Sequence, residues 1–144
     1  MLPPYSPPTP TLPYNSIDLP PHPVAGPYSQ AIRTPHAIYV SGQLPALADG
    51  TLPSGTIAYK ASLCINNIHE VLKEAGSDLS RVVKMTVFLT DMGDFAEVNR
   101  EYELHFRDTK PARSCVAVRE LPKGVEIEME CVALPGAERW MGFD

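Results

Sequence analysis

A chain of 144 residues and 15.8 kDa has room for one domain with its own hydrophobic core, held without disulfides or metals. Hydrophobic residues make up 44% and charged residues 20%, ordinary values for a folded domain, which excludes a wholly disordered chain. A net charge of −5 and a pI of about 5.3 have the wrong sign for neutralising phosphates, so nucleic acid is disfavoured as a partner.

The remaining composition narrows the chemistry. Three cysteines (Cys64, Cys115, Cys131) with no CxxC suit a reducing compartment and provide neither a disulfide framework nor a zinc site. Four histidines (His22, His36, His69, His105) are scattered, with no HExxH, so no metal centre is expected. No apolar run approaches the ~20 residues of a membrane-spanning helix, so no membrane partner is expected. The first Lys or Arg is Arg33, which leaves the start without the basic region of a secretory signal or the arginines of a mitochondrial transit peptide. The cytosol is the expected compartment, with the mitochondrion as the alternative should the Pro/Ser/Thr-rich start be a processed leader.

Nine of the 16 prolines lie in the first 23 residues, so residues 1–22 read as a mobile extension in which proline removes amide donors and no apolar period is sustained. Structure is expected from Tyr28. Tyr28–Arg33 and Ala37–Gln43 read as two short strands joined by Thr34-Pro35-His36. Glycine and proline break the chain until Thr56, after which Ile57, Ala61, Cys64, Ile65, Ile68, Val71, Leu72 and Ala75 recur at helical spacing, with Gly76 placed to end the helix. Val82–Thr90 reads as an interior strand. Asp94-Phe-Ala-Glu97 resembles a capping box opening a helix whose apolar face is Phe95, Val98, Tyr102 and Phe106, ending near Asp108. Ala112–Arg119 and Val125–Leu134 are the last two strands, before a tail at 137–144 that holds Trp140 and Phe143. The order ββαβαββ predicts an α+β fold, one mixed sheet with both helices on one face.

The final strand carries the first chemical signal. Val125, Ile127, Met129 and Cys131 alternate with Glu126, Glu128 and Glu130, so three carboxylates share one face roughly 7 Å apart. Mutual repulsion raises the pKa of any member that is also desolvated; otherwise they are solvated surface charges. Arg113, on what reads as the adjoining strand, offers a two-pronged donor that fits either a substrate carboxylate or one of these glutamates in a structural ion pair.

Gly26-Pro-Tyr-Ser-Gln30, Val40-Ser-Gly-Gln-Leu-Pro45, Asn67-Ile68, Phe95-Ala-Glu-Val-Asn99, Pro111-Ala-Arg-Ser-Cys-Val116, Leu121-Pro122 and Ile127-Glu-Met-Glu130 together resemble the YjgF family, specifically its RidA branch of reactive intermediate deaminases. The resemblance runs from about Pro23 to Pro135. It implies a chorismate-mutase-like fold and a homotrimer whose sheets form a central barrel, with active sites between subunits. It implies hydrolysis of 2-imino acids to 2-oxo acids and ammonia without a cofactor. Arg113 then matches the arginine that grips the substrate carboxylate and Glu128 the glutamate that orients and deprotonates water. Cys115 matches a position whose backbone faces the ligand, and Tyr28, Ser41, Gly42, Phe95 and Asn99 match other positions lining the cleft. Each of these five also has an ordinary structural explanation: strand packing, a backbone-bonding hydroxyl, a bulge, core and a polar helix position respectively. Relatives described as ribonucleases that inhibit translation, and a non-catalytic trimer binding small carboxylates or client proteins, are the alternative functions.

Overall fold

The computed structural model describes residues 14–19 and 26–136. Its elements are β1 (Asn15–Ile17), β2 (Ala31–Arg33), β3 (Ile38–Gln43), α1 (Ile57–Glu74), β4 (Val82–Leu89), α2 (Phe95–His105), β5 (Ala112–Ala117) and β6 (Ile127–Ala133). They form one six-stranded sheet in the order β1-β2-β3-β6-β4-β5. Every pairing is antiparallel except β4 with β5, which the crossover through α2 makes parallel. The expected α+β class and single mixed sheet are thus present.

One expectation is corrected at the start of the chain. Residues 14–19 fall inside the stretch read as a structureless extension, yet Asn15–Ile17 pairs with β2 and buries Ile17 to 6% exposure. The three residues between Tyr14 and Asp18 contain no proline, so their amides are free to join the ladder. The rest of the proline-rich segment, and the tail with Trp140 and Phe143, lie outside the described residues.

Helix α1 begins as its sequence suggests. Thr56 accepts a hydrogen bond from the Tyr59 amide at 3.1 Å, satisfying one of the first-turn donors. Gly76, at φ 78°, ends it in a left-handed turn with Ser77 N–H on Leu72 O and Gly76 N–H on Lys73 O. The expected capping box at Asp94 is not formed. A 3₁₀ turn over Met92–Asp94 leads into α2, so the cap moves back to Asp91, whose carboxylate accepts from the Gly93 amide at 2.8 Å. Helix α2 ends at His105.

The core lies between the helices and one sheet face. Ile57, Ala61, Cys64, Ile65, Ile68, Val71 and Leu72 of α1 meet Ile38, Val40, Met85, Val87, Leu89, Ile127, Met129 and Cys131 of the sheet, with Val98 of α2 and Phe106 beyond its end. Alternation sends every second residue to the opposite face, where Tyr39, Val116 and Leu134 remain 52%, 45% and 42% exposed. No described helix is long and apolar enough to cross a membrane.

Candidate functional site

Strand register decides which of the predicted residues can meet. Met85, Val87 and Leu89 of β4 point into the core, and Met85 and Val87 lie beside Arg113 and Cys115 of β5. Arg113 and Cys115 therefore belong to the helix side, and Cys115 packs against the core cluster. Thr86 and Phe88, one residue out of phase, lie beside Glu130 and Glu128 of β6. Those two carboxylates are on the open side. The expectation that β5 adjoins the glutamate strand fails, because β4 is inserted between them. Arg113 and Glu128 thus stand two strands apart, about 10 Å in the pairing direction, on opposite faces of the same sheet.

Arg113 is held by aromatic rings. Its guanidinium carbon lies 4.7 Å from the ring centre of Tyr102 and 5.7 Å from that of Phe95, both on α2. Among the described residues it makes no ion pair with a carboxylate. Phe95, matched to a cleft-lining position with core packing as its ordinary alternative, is 36% exposed beside Arg113 and not part of the buried core. Asn99, four residues on from Phe95, occupies the same face of the helix. Burial pushes the Cys115 thiol up, and the Arg113 charge offsets part of that rise.

The open side carries the second group. β3 bulges between Val40 and Gln43, where its register against β6 shifts. Gly42 lies in that bulge, and a methyl group on it would sit 1.8 Å from Oε1 of Glu128. Glycine is needed here for space, since the carboxylate lies over the bare backbone. Ser41 donates from Oγ to Ser29 O at 2.6 Å, which ties the bulge to the segment before β2. On the helix side of the bulge, Tyr28, 49% exposed, and Gly42 line a separate cavity of about 520 Å³ with residues of α1 and of the 44–52 loop, and Glu128 does not line it. Asn67 pins that loop by donating to Leu44 O at 3.0 Å and Ala46 O at 2.9 Å.

The three glutamates do not act alike. Glu126 lies before β6 and takes Lys60 of α1 at 2.8 Å, and this hydrogen bond holds its carboxyl below the usual range. Glu128 is pushed the other way, by burial first and by the neighbouring Glu130 second. Period-2 alternation placed all three on one face. The strand starting only at Ile127 frees Glu126 to turn towards the helix. Sequence reasoning also missed Tyr102, whose helical spacing reads as core and whose contact with Arg113 depends on how α2 lies on β5. Among the described residues no cluster of His, Cys, Asp or Glu could hold a metal ion.

The chain's sequence and fold place it in a family. The family model described as Endoribonuclease L-PSP matches residues 20–135, and the chain belongs to that family, also known as the YjgF/RidA family. The mitochondrial protein mmf1 of Schizosaccharomyces pombe is 51% identical over 113 residues, covering 76% of this chain and 69% of that protein. The human 2-iminobutanoate/2-iminopropanoate deaminase is 46% identical over 112 residues, covering 77% of this chain and 82% of that protein. The crystal structure of TdcF from Escherichia coli, with bound serine, superposes with a TM-score of 0.79 at 35% identity, covering 85% of this chain and 99% of that one.

Proposed function

We propose that the protein hydrolyses short 2-imino acids, such as 2-iminopropanoate and 2-iminobutanoate, to 2-oxo acids and ammonia, in a site completed between copies of a homotrimer. The observation that carries this reading is the pair of uncommitted groups: an arginine with no carboxylate partner among the described residues, and a glutamate whose pKa is raised by burial. The deaminase name of the human relative and the serine bound to TdcF support the substrate class.

The chemistry asks for little machinery. A protonated C=N carbon is already electrophilic, so the protein must hold the substrate, place a water and move protons. Arg113 grips the carboxylate through parallel N–H donors, and Glu128 accepts a proton from the water as its oxygen bonds to carbon. The same carboxyl then returns the proton to nitrogen and takes the remaining hydroxyl proton as the C–N bond breaks, so that ammonia leaves behind a C=O. Cys115 offers its backbone to the ligand, while Tyr28, Ser41, Gly42, Phe95 and Asn99 shape the walls of the cleft. No cofactor enters the sequence.

In one protomer the two groups face away from each other across the sheet, so a second copy must bring its Glu128 side to the Arg113 edge of the first. β5 is the last strand of the sheet, and the exposed Tyr39, Val116 and Leu134 give the open face apolar area to bury against neighbours. In the barrel that three such faces would make, each of three sites draws on two chains. Sedimentation should give three times 15.8 kDa, and adding the protein to a serine or threonine dehydratase should speed release of 2-oxo acid. A monomer, or a release rate equal to that in buffer, would overturn the proposal. RNA offered to the same preparation should stay intact, since the net charge of −5 provides no phosphate-binding surplus. The mmf1 relative makes the mitochondrion, alongside the cytosol, a compartment to examine by fractionation.

Gly42→Ala tests the open side directly. The new methyl must push the Glu128 carboxylate away from the bulge, a displacement of ångström scale that costs on the order of 10²-fold in turnover. Folding should be little affected, because the group that moves is the end of a flexible side chain; unchanged turnover would separate Glu128 from the chemistry.

A further inference from the structure

We infer that Tyr102 is a positioning residue for anion capture: its ring is the shelf on which the Arg113 guanidinium is held in readiness for a substrate carboxylate. The inference rests on the role proposed for Arg113 and extends it to a side chain whose helical spacing marks it as core.

Three observations converge on the ring of Tyr102. The guanidinium carbon of Arg113 stands 4.7 Å from its centre, nearer than to Phe95 at 5.7 Å. Phe95 and Tyr102 are seven residues apart on α2, two helical turns, so they flank the arginine from one helix face. Tyr102 is in turn backed by Phe106, with ring centres 4.6 Å apart, and Phe106 is 2% exposed. The shelf is therefore anchored in the core and cannot swing away with the arginine.

The hydroxyl of Tyr102 is not what the fold uses. Its oxygen is buried and has no protein hydrogen-bond partner among the described residues, an arrangement that costs free energy and brings no compensating bond. Burial pushes its pKa up to about 12, against a smaller opposing effect of Arg113, so it stays a neutral phenol at physiological pH. What it contributes is a flat face of negative potential beneath a cation that has no carboxylate partner among the described residues. A free arginine loses considerable rotamer entropy when it clamps an anion; one already stacked has lost most of that beforehand. Stacking leaves the edge of the guanidinium, where the N–H donors lie, open for a bidentate carboxylate.

The test compares Tyr102→Leu, Tyr102→Phe and, as a core control, Ile68→Val in the assembled protein. The readouts are binding of 2-oxobutanoate by calorimetry and steady-state kinetics on imine generated by a dehydratase. Tyr102→Leu should weaken 2-oxobutanoate binding and raise KM by about 5- to 20-fold with kcat within about twofold, the loss expected when a partly desolvated cation–π contact is removed. Tyr102→Phe keeps the ring and should restore both to within about twofold. Ile68→Val trims the buried core on α1, outside the residues that carry the shelf, so it should lower Tm and leave KM alone. A Tyr102→Leu variant whose KM moves no further than that of Ile68→Val would overturn the inference, and Tyr102→Met takes its place should the leucine variant not fold. Arg113→Ala separates the two layers. If it loses binding while Tyr102→Leu does not, the shelf is wrong and the arginine's role stands; if it binds 2-oxobutanoate as well as the parent, the role itself is wrong.

Discussion

Replacing Arg113 by alanine should abolish productive binding while leaving the protein folded. Charge-assisted hydrogen bonds contribute about 1.5–3 kcal/mol each, and a bidentate pair places the combined loss near 3–4 kcal/mol, or roughly 10²- to 10³-fold in kcat/KM. The loss should appear chiefly in KM and in 2-oxobutanoate affinity. Stability should change little, because among the described residues Arg113 breaks no ion pair on leaving and the Tyr102 ring it covers remains packed on the core. Arg113→Lys should recover only a small part of the activity, since a point charge cannot present two parallel donors. The measurement is steady-state deamination with a parallel thermal melt. Full activity in the alanine variant would place substrate recognition elsewhere.

Glu128→Gln should have the opposite signature: binding of 2-oxobutanoate kept within a few-fold, and kcat reduced by about 10²- to 10⁴-fold, the range of a lost general base. A non-catalytic carboxylate-binding trimer would be indifferent to this exchange, so the one substitution separates catalyst from sensor. The pH dependence follows from the raised pKa. Burial and Glu130 both favour the protonated carboxyl in the folded state, so activity should rise with pH through a midpoint above the ordinary 4.5, and that limb should vanish in the glutamine variant. Stability runs the other way. A carboxyl whose folded pKa is raised stabilises the fold fully below 4.5 and loses that contribution as pH climbs through the folded value. Glu128→Gln should therefore melt higher than the parent at pH 7, and together with it below pH 4. A parent that melts higher at pH 7 would mean that Glu128 is paired with a cation.

Much of the architecture follows from local rules. Helix α1 was legible from the recurrence of Ile57, Ala61, Cys64, Ile65, Ile68, Val71 and Leu72, from Thr56 before it and from Gly76 after it, because each of those signals acts within a turn or two of the chain. β4 was legible from its run of apolar and β-branched residues, and the alternation of β6 correctly separated buried Ile127, Met129 and Cys131 from half-exposed Glu128 and Glu130. The strand Asn15–Ile17 was hidden by the prolines around it, since a three-residue edge strand has no period to detect.

Which chemical groups belong together was decided elsewhere. Sequence periodicity assigns each residue a face of its own strand, but it carries no information about which strand lies beside which. The insertion of β4 between β5 and β6 set Arg113 and Glu128 apart on opposite sides of one sheet, and the start of β6 at Ile127 turned Glu126 to Lys60. Likewise Tyr102 and Gly42 looked like core and bulge. Only the lie of α2 across the sheet edge put a ring under the guanidinium, and only the pairing of β3 with β6 laid a carboxylate over the bare glycine. Short-range forces select the elements, whereas the partners of a charged side chain are set by contacts between segments distant in the chain, and those exist only once the sheet has closed its register.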